Sequence, residues 1–236
     1  MDPLLISAAS GMKTRMESLD MLANNIANSG TAGFKADREF YSLYQQELPV
    51  IEKQYTDFSQ GTLTPTANPL DLGLAGKGFF ALNSPTGTVY TRNGQFQISK
   101  SNQLQTAEGF TLRNTRDQGK PITVDPTQPV AIDKSGVVSQ GGQEIAQIEI
   151  GGIENPAQVL GKLGTSYFAF LNPAGKPGPA QDAEVSQGTL EQSNVPAADS
   201  AVRLISVMRQ FEMLQKAITV GADMNRQAIE EVAKVS

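Results

Sequence analysis

Residues 196–236, PAADSAVRLISVMRQFEMLQKAITVGADMNRQAIEEVAKVS, contain the pattern that decides the fold. Apolar side chains recur there at alternating steps of four and three, at Ala197, Ala201, Leu204, Met208, Phe211, Ile218, Ala222, Ile229 and Val232. This spacing places one residue per turn along a single seam and is typical of coiled coils, with Gln215 and Asn225 as its polar members. Forty helical residues would extend for roughly 60 Å, which is too long to be covered by one globule. We therefore expect the seam to need a partner helix.

The best candidate for that partner is the opposite end of the chain. Asp2-Pro3 is a good helix start, and the same four-three series follows at Leu5, Ala9, Met12, Met16, Leu19, Ala23 and Ile26. A single series of this kind would favour an amphipathic helix that lies on a globular core. Two such series in one chain favour a pairing of the terminal helices as a coiled coil. The assembly seam is predicted at Leu5, Met12, Met16, Leu19, Ile26, Leu204, Met208, Phe211 and Ile218.

A cluster of asparagines marks the end of the first helix. Asn24, Asn25 and Asn28 precede Gly30 and Gly33, and Asn and Gly are typical of helix C-caps and turns. Three Asn within five residues exceed what a cap requires. Their side-chain amides are therefore expected either to hydrogen-bond within the turn or to make polar contacts with a neighbouring subunit. Gln215 and Asn225 are further candidates for such contacts between subunits.

Between the helices, short apolar runs alternate with turns rich in Gly, Asn and Pro from residue 68 to residue 179. Frequent short strands of this kind predict an antiparallel sandwich or barrel-like domain. The predicted fold class is α+β, with an inserted, mostly antiparallel β domain. The predicted boundaries are 1–30 and 196–236 for the helical domain, 31–67 and 180–195 for connecting segments, and 68–179 for the β domain.

Composition excludes several functional classes. The chain has no Cys and no His, which removes thiolate nucleophiles, Ser–His pairs and the commonest zinc ligands. The net charge is −5 and the basic residues form no cluster in the sequence, so nucleic acid is not an expected partner. No apolar run is long enough for membrane insertion, and the start lacks the basic region of a signal peptide. We expect no enzymatic activity, no metal, no cofactor and no small-molecule substrate.

Four separated motifs resemble the flagellar basal-body rod and hook proteins of bacteria, in order and over nearly the whole chain. They are 22–35 (LANNIANSGTAGFK), 68–80 (NPLDLGLAGKGFF) with 90–96 (YTRNGQF), 187–195 (QGTLEQSNV), and 209–218 (RQFEMLQKAI). The chain is thus identified as a member of that family. Four motifs in the correct order make the resemblance highly specific.

The resemblance implies a structural subunit that polymerises with other copies of itself and with other rod proteins into the drive shaft from motor to hook. It also implies export without a cleaved signal by the flagellar type III apparatus, and assembly in the periplasm with paired terminal helices. The short segment between Phe34 and Asn68 resembles the proximal branch of the family, with the distal branch or a hook paralogue as the alternative. The alternative from a different class is a non-filamentous periplasmic binding module with a dimerising helix pair.

Overall fold

The chain folds into two compact units, each built from separated parts of the sequence. The computed structural model describes residues 3–42, 50–180 and 182–235, with side chains except at 3–7, 40–42, 50–53, 228–229 and 231–235. The helical unit comprises Met1–Ala27, Asp37–Tyr55 and Pro196–Ser236. The β unit comprises Asn28–Ala36 and Thr56–Val195.

Two long helices dominate the helical unit. Helix α1 spans Pro3–Ala27, and the 39-residue helix that spans Ala197–Val235 is α3 in chain order. The short helix α2, Pro156–Val159, belongs to the β unit. Helix α1 contacts α3 more extensively than any other two elements contact each other. Strands β1 (Asp37–Ser42) and β2 (Val50–Thr56) form a two-stranded sheet, and β1 also contacts α1.

The largest sheet of the β unit has nine strands in the described part of the chain, and its strands pair antiparallel. Its strands are β5 (Phe79–Ser84), β6 (Gly87–Thr91), β7 (Gln97–Ile98), β8 (Leu104–Gln105), β9 (Thr111–Leu112), β13 (Ile150–Gly152), β14 (Leu160–Leu163), β15 (Tyr167–Phe170) and β16 (Gly178–Pro179). The order is β14-β15-β6-β5-β9-β8-β7, and β13 pairs with β5 and β16. Neighbours in sequence are mostly neighbours in space.

Smaller antiparallel sheets complete the β unit. Strands β10 (Val130–Ile132), β11 (Val137–Gln140) and β12 (Gln143–Gln147) form a three-stranded meander. Strand β3 (Leu63–Pro65) pairs with β18 (Thr189–Glu191), and β4 (Leu72–Ala75) pairs with β17 (Glu184–Gln187). A 3₁₀ turn covers Thr115–Asp117. The last two pairings join the beginning of the β unit to its end.

The apolar core lies in the β unit. Its largest cluster includes the fully buried Leu74, Phe80, Leu82 and Leu112. A second cluster contains Phe79 and Phe168, whose rings meet edge to face with centroids 6.0 Å apart. Burial of such side chains on both faces of twisted, short-stranded sheets gives the β unit its stability.

The structure confirms a mixed fold with helices at both ends and antiparallel sheets between them. Residues 37–55 lie in the helical compact unit, and residues 28–36 and 180–195 lie in the β unit. Pairing accounts for this grouping, because β1 contacts α1 and the 189–191 strand pairs with β3. Within the described ranges, no helix combines the length and apolar character that a membrane crossing requires.

Candidate assembly surfaces and a buried ion cluster

The buried face of α1 is small and largely polar. Its members recur every three or four residues at Ala8, Gly11, Thr14, Ser18, Leu22 and Asn25. Ser18 donates a 2.7 Å hydrogen bond to the carboxylate of Glu39 on β1. Small side chains allow close approach of neighbouring backbones, and the hydroxyl and amide groups are satisfied locally. This face is therefore built for contacts within the chain.

The predicted seam of α1 lies on the flank of that buried face and on the exposed side of the helix. Met12, Leu19 and Ile26 are half-buried, and Met16 is 54% exposed. The side chain of Leu5 lies outside those that the structure describes. The seam residues are thus accessible in the single chain, and their part in contacts with other subunits stays a prediction.

On α3, the structure brings Leu204, Phe211 and Ile218 to one half-buried stripe, as the spacing predicts that they share a face. The buried Ser200 and the half-buried Val207, Leu214 and Gly221 lie on the same side of the helix. Met208, Gln215 and Asn225 are exposed. Two four-three series share the same three apolar residues, and a one-residue step rotates a side chain by about 100°. Spacing alone does not decide which series faces inward.

The asparagines at the end of α1 divide into separate roles. Asn25 is 4% exposed, and its amide donates to the carbonyl of Asp37 at 2.8 Å and accepts from the Asp37 N–H at 2.9 Å. Asn28 accepts a bond from the Thr31 hydroxyl at 3.4 Å, within the turn after the helix. Asn24 is exposed. Asn25 therefore fastens α1 to β1, and a contact with another subunit at Asn24 or Asn28 stays a prediction.

Sequence reasoning missed a buried ion cluster in the β unit, formed by Lys35, Arg92 and Glu191. The Nζ of Lys35 lies 2.6 Å from Oε1 of Glu191, and Nη1 of Arg92 lies 3.1 Å from Oε2. The side chains of Lys35 and Glu191 are fully buried, and that of Arg92 is 5% exposed. A lone Lys or Glu in a sequence is ordinarily a surface residue. The sequence marks these three residues only by their positions inside the motifs that resemble the family.

Backbone groups donate and accept further hydrogen bonds in this cluster. Lys35 donates to the carbonyl of Ser59 at 2.6 Å, and the N–H of Gly61 donates to Glu191 Oε1 at 2.9 Å. Arg92 donates to the carbonyls of Leu74 and Gly76 at 3.0 and 2.6 Å. Two cations share one carboxylate, which leaves one net positive charge away from water. Burial lowers the pKa of Lys35, and the charge of Glu191 opposes that shift.

The cluster ties together two segments of the β unit, the one that follows α1 and the one that precedes α3. Gly33 donates its N–H to the carbonyl of Glu191 at 2.7 Å. Ala36 donates its N–H to Asn194 Oδ1 at 2.7 Å, and the Asn194 amide donates to the carbonyl of Asp57 at 2.8 Å. Residues 33–36 follow α1 closely, and residues 191–194 precede α3 closely. The arrangement holds these two segments of the β unit together.

A cleft in the β unit has Glu108 and Tyr167 as its ionisable lining residues. Hydroxyl and amide side chains line it together with the apolar Val89, Phe110 and Leu163. Tyr167 donates a hydrogen bond to Glu108, and burial, together with that bond, raises the pKa of the phenol. The ring of Phe110 lies edge to face against Tyr167 at 5.0 Å. Within residues 3–42, 50–180 and 182–235, no group of three acidic side chains is placed to hold a metal ion.

Three family models match separate parts of the chain, in the order of the motifs. Residues 5–35 match the model described as flagella basal body rod protein, and residues 73–140 match the flagellar hook protein FlgE/F/G D1 domain. Residues 186–231 match the flagellar basal body rod FlgEFG protein C-terminal. Flagellar basal-body rod protein FlgF of Caulobacter vibrioides is 33% identical, with 100% of both chains covered. The chain belongs to the flagellar basal-body rod protein family.

Further rod proteins show the same relation. FlgF of Mesorhizobium japonicum is 30% identical over 100% of both chains. Flagellar basal-body rod protein FlgG of Borreliella burgdorferi is 30% identical, with 93% of this chain and 95% of the relative covered. These matches confirm the resemblance to the rod family. The chain is accordingly a structural subunit of the flagellar basal-body rod.

Proposed function

We propose that this rod protein is a proximal subunit of the FlgF type, which polymerises through its helical unit and transmits torque from the motor to the hook without any catalytic step. The subtype is supported by two FlgF relatives that align over 100% of both chains, at 33% and 30% identity. A distal subunit of the FlgG type is the alternative. Its partners are other copies of itself and other rod proteins.

The observation that carries this proposal is the difference between the cores of the two units. The largest cluster of the β unit contains sixteen buried apolar or aromatic residues. Among the described side chains of the helical unit, the buried apolar ones are Ala8 and Leu22. Each square ångström of apolar surface removed from water contributes about 25 cal/mol. Because the helical unit buries so few apolar side chains, it gains much of its stability from contacts with other subunits. Assembly supplies the missing burial.

The terminal helices of one subunit then form an interface that is completed by the helices of other subunits. We propose that α1 and α3 pair as a coiled coil within a helical domain of residues 1–30 and 196–236, with 68–179 as the β domain and 31–67 and 180–195 between them. The contact between α1 and α3 supports this pairing. Export by the type III apparatus without a cleaved signal, and a place in the rod across the periplasm, follow the family resemblance.

Replacement of Leu204 by Asp tests the function. Leu204 is half-buried on α3, and a carboxylate there is expected to abolish recovery of the protein in basal bodies and to abolish swimming, with the β unit still folded. The matched control is Ala198→Asp, which adds the same charge at an exposed position of the first helical turn, where the helix dipole favours it. Wild-type motility and basal-body recovery of the Leu204 variant would contradict the proposal.

A further inference from the structure

Helix α3 carries a second apolar face, here named the outer stripe. Its members are Val202, Ile205, Met213, Val220 and Met224. They are 53–69% exposed, although each is a large apolar side chain. Met213 and Val220 each follow a half-buried residue by two positions, which places them roughly 160° around the helix from Phe211 and Ile218. The outer stripe therefore faces away from the half-buried stripe of α3.

Helix α1 also leaves an apolar face accessible, here named the α1 stripe. It consists of Ala9, Met12, Met16, Leu19 and Ala23. Ala9, Met16 and Ala23 are exposed, and Met12 and Leu19 are half-buried. Both this stripe and the outer stripe repeat at helical spacing. The outer stripe also carries Arg209 and Lys216 between its apolar members. Exposed large apolar side chains grouped on one helix face mark a candidate interaction site.

We propose that the outer stripe of one copy of this chain docks on the α1 stripe of a second copy. This inference rests on the proposed function, because it names the pair of surfaces through which one rod subunit adds to the next. The contact joins two different faces, so each subunit keeps one of each unused after binding. Heterologous contacts of this kind propagate into open helical filaments, whereas contact of the outer stripe with itself would close a dimer.

Charge next to the central methionines favours this pairing over self-association of α3. Met213 has exposed Arg209 and Lys216 as its helix neighbours at i−4 and i+3. Two copies of the outer stripe would bring these like charges together. On α1, Met16 has exposed Asp20 at i+4, whereas Lys13 is paired with Glu17 at 4.0 Å. The acid beside the α1 stripe complements the bases beside the outer stripe.

Methionine at the centre of both stripes suits a contact that is repeated along a polymer. Its unbranched thioether chain adapts to irregular surfaces, which allows subunits in slightly different surroundings to use one interface. Met16 is 54% exposed, and Met213 and Met224 are 61% and 64% exposed. The chain thus places its most adaptable apolar side chains where contact with another copy is needed.

Disulfide cross-linking tests the inference directly, because the natural chain has no Cys. Two alleles, Met16→Cys with one tag and Met213→Cys with another, are expressed together in cells that lack the wild-type copy. Motility and the recovery of both tags in isolated basal bodies establish that the variants assemble. After oxidation, the expected result is a species of twice the chain mass that carries both tags and is lost when either cysteine is absent.

A second pair of variants tests the alternative contact, through the predicted seam of α3. Met208→Cys combined with Met16→Cys probes the predicted seam, since Met208 lies about 140° around α3 from Met213. A mixed dimer at Met208 in place of Met213 would overturn the docking of the outer stripe while leaving the rod function intact. Assembled rods without either mixed dimer, or with Met213–Met213 dimers, overturn it as well. Motile cells whose basal bodies contain neither tag would instead contradict the proposed function.

If either cysteine variant blocks assembly, the contact is probed from a neighbouring position on the same stripe. Ala9→Cys replaces Met16→Cys, and Val220→Cys replaces Met213→Cys, with the same two-tag readout. Both substituted positions are exposed in the single chain. Assembled rods in which the 9–220 pair yields no mixed dimer, while Ala9→Cys with Met208→Cys yields one, overturn the inference.

Discussion

Lys35 and Glu191 lie 156 positions apart in the sequence, yet Nζ of the lysine sits 2.6 Å from Oε1 of the glutamate with both side chains fully buried. Arg92 contacts the other carboxylate oxygen at 3.1 Å. The pair joins the segment that leaves α1 to the segment that leads into α3.

Removing the carboxylate is expected to cost more stability than removing the lysine. Glu191→Gln leaves two buried cations without the carboxylate that both contact and should lower the free energy of unfolding of the β unit by about 3–5 kcal/mol. Lys35→Met leaves the neutral Arg92–Glu191 pair and should cost about 1–3 kcal/mol through unmade hydrogen bonds. Urea unfolding of the full chain, followed by far-ultraviolet circular dichroism, measures both values.

The control is Lys77→Met, which removes an exposed lysine from the same unit and should change stability by less than about 0.5 kcal/mol. Equal losses in the Glu191 and Lys35 variants would show that charge balance is not what the cluster provides. A Glu191 variant as stable as the natural chain would refute the role of the cluster altogether.

The lysine should also give the β unit a characteristic pH dependence. Burial lowers the pKa of Lys35 from its ordinary value of 10.5, and the attraction of Glu191 opposes but does not cancel the shift. Between the lowered pKa and 10.5, the unfolded chain binds a proton that the folded chain does not. Stability contributed by Lys35 therefore rises with pH across that window.

Comparison of the natural chain with Lys35→Met isolates this contribution, since all other titrating groups are shared. Urea unfolding at several pH values from neutral to about 10.5 is expected to show the natural chain gaining stability relative to the variant. A difference that stays constant, or that shrinks as the pH rises, would mean that Lys35 keeps its proton equally well in both states.

Gly33 is placed where a side chain cannot fit. Its φ is +67°, in the left-handed region, and a Cβ would clash with the backbone of Arg92 and Asn93. Gly33→Ala is therefore expected to destabilise the β unit by at least about 1–2 kcal/mol, since strain and displacement both act. Gly30→Ala is the matched control, because a Cβ at Gly30 meets nothing within 4 Å. Thermal unfolding of both variants tests the difference, and similar melting temperatures would contradict the clash.

Part of this architecture was predictable because the signals are repeated. The four-three spacing from Ala197 onward and the short β runs between turns predict the helix, sheet, helix order that the structure shows. The inward face of α3 was not predictable, because Leu204, Phe211 and Ile218 belong to two overlapping series. Only packing against α1 selects Val207 and Leu214 over Met208 and Gln215.

The buried cluster was not predictable for a different reason. Nothing local to Lys35 distinguishes it from an ordinary surface lysine, and its partner is far away in the sequence. The burial of the pair depends on the pairing of β18 with β3, which no single segment encodes. Long-range contacts of this kind need the folded chain or the family resemblance to become visible.

Asn25 supplies a prediction for the helical unit alone. Its amide makes two hydrogen bonds to the backbone of Asp37, and the side chain is buried. Asn25→Ala leaves the N–H and the carbonyl of Asp37 without that partner and should cost about 1–3 kcal/mol. The loss is expected in the contact of α1 with β1, with the β unit unchanged.

Hydrogen exchange of the full chain should show faster exchange in 8–27 and 37–42 and natural rates in 79–91. Asn24→Ala, at the neighbouring exposed position, is the control with a smaller expected effect. Equal acceleration in both variants would indicate that the end of α1 is held by its turn and not by the Asn25 bridge.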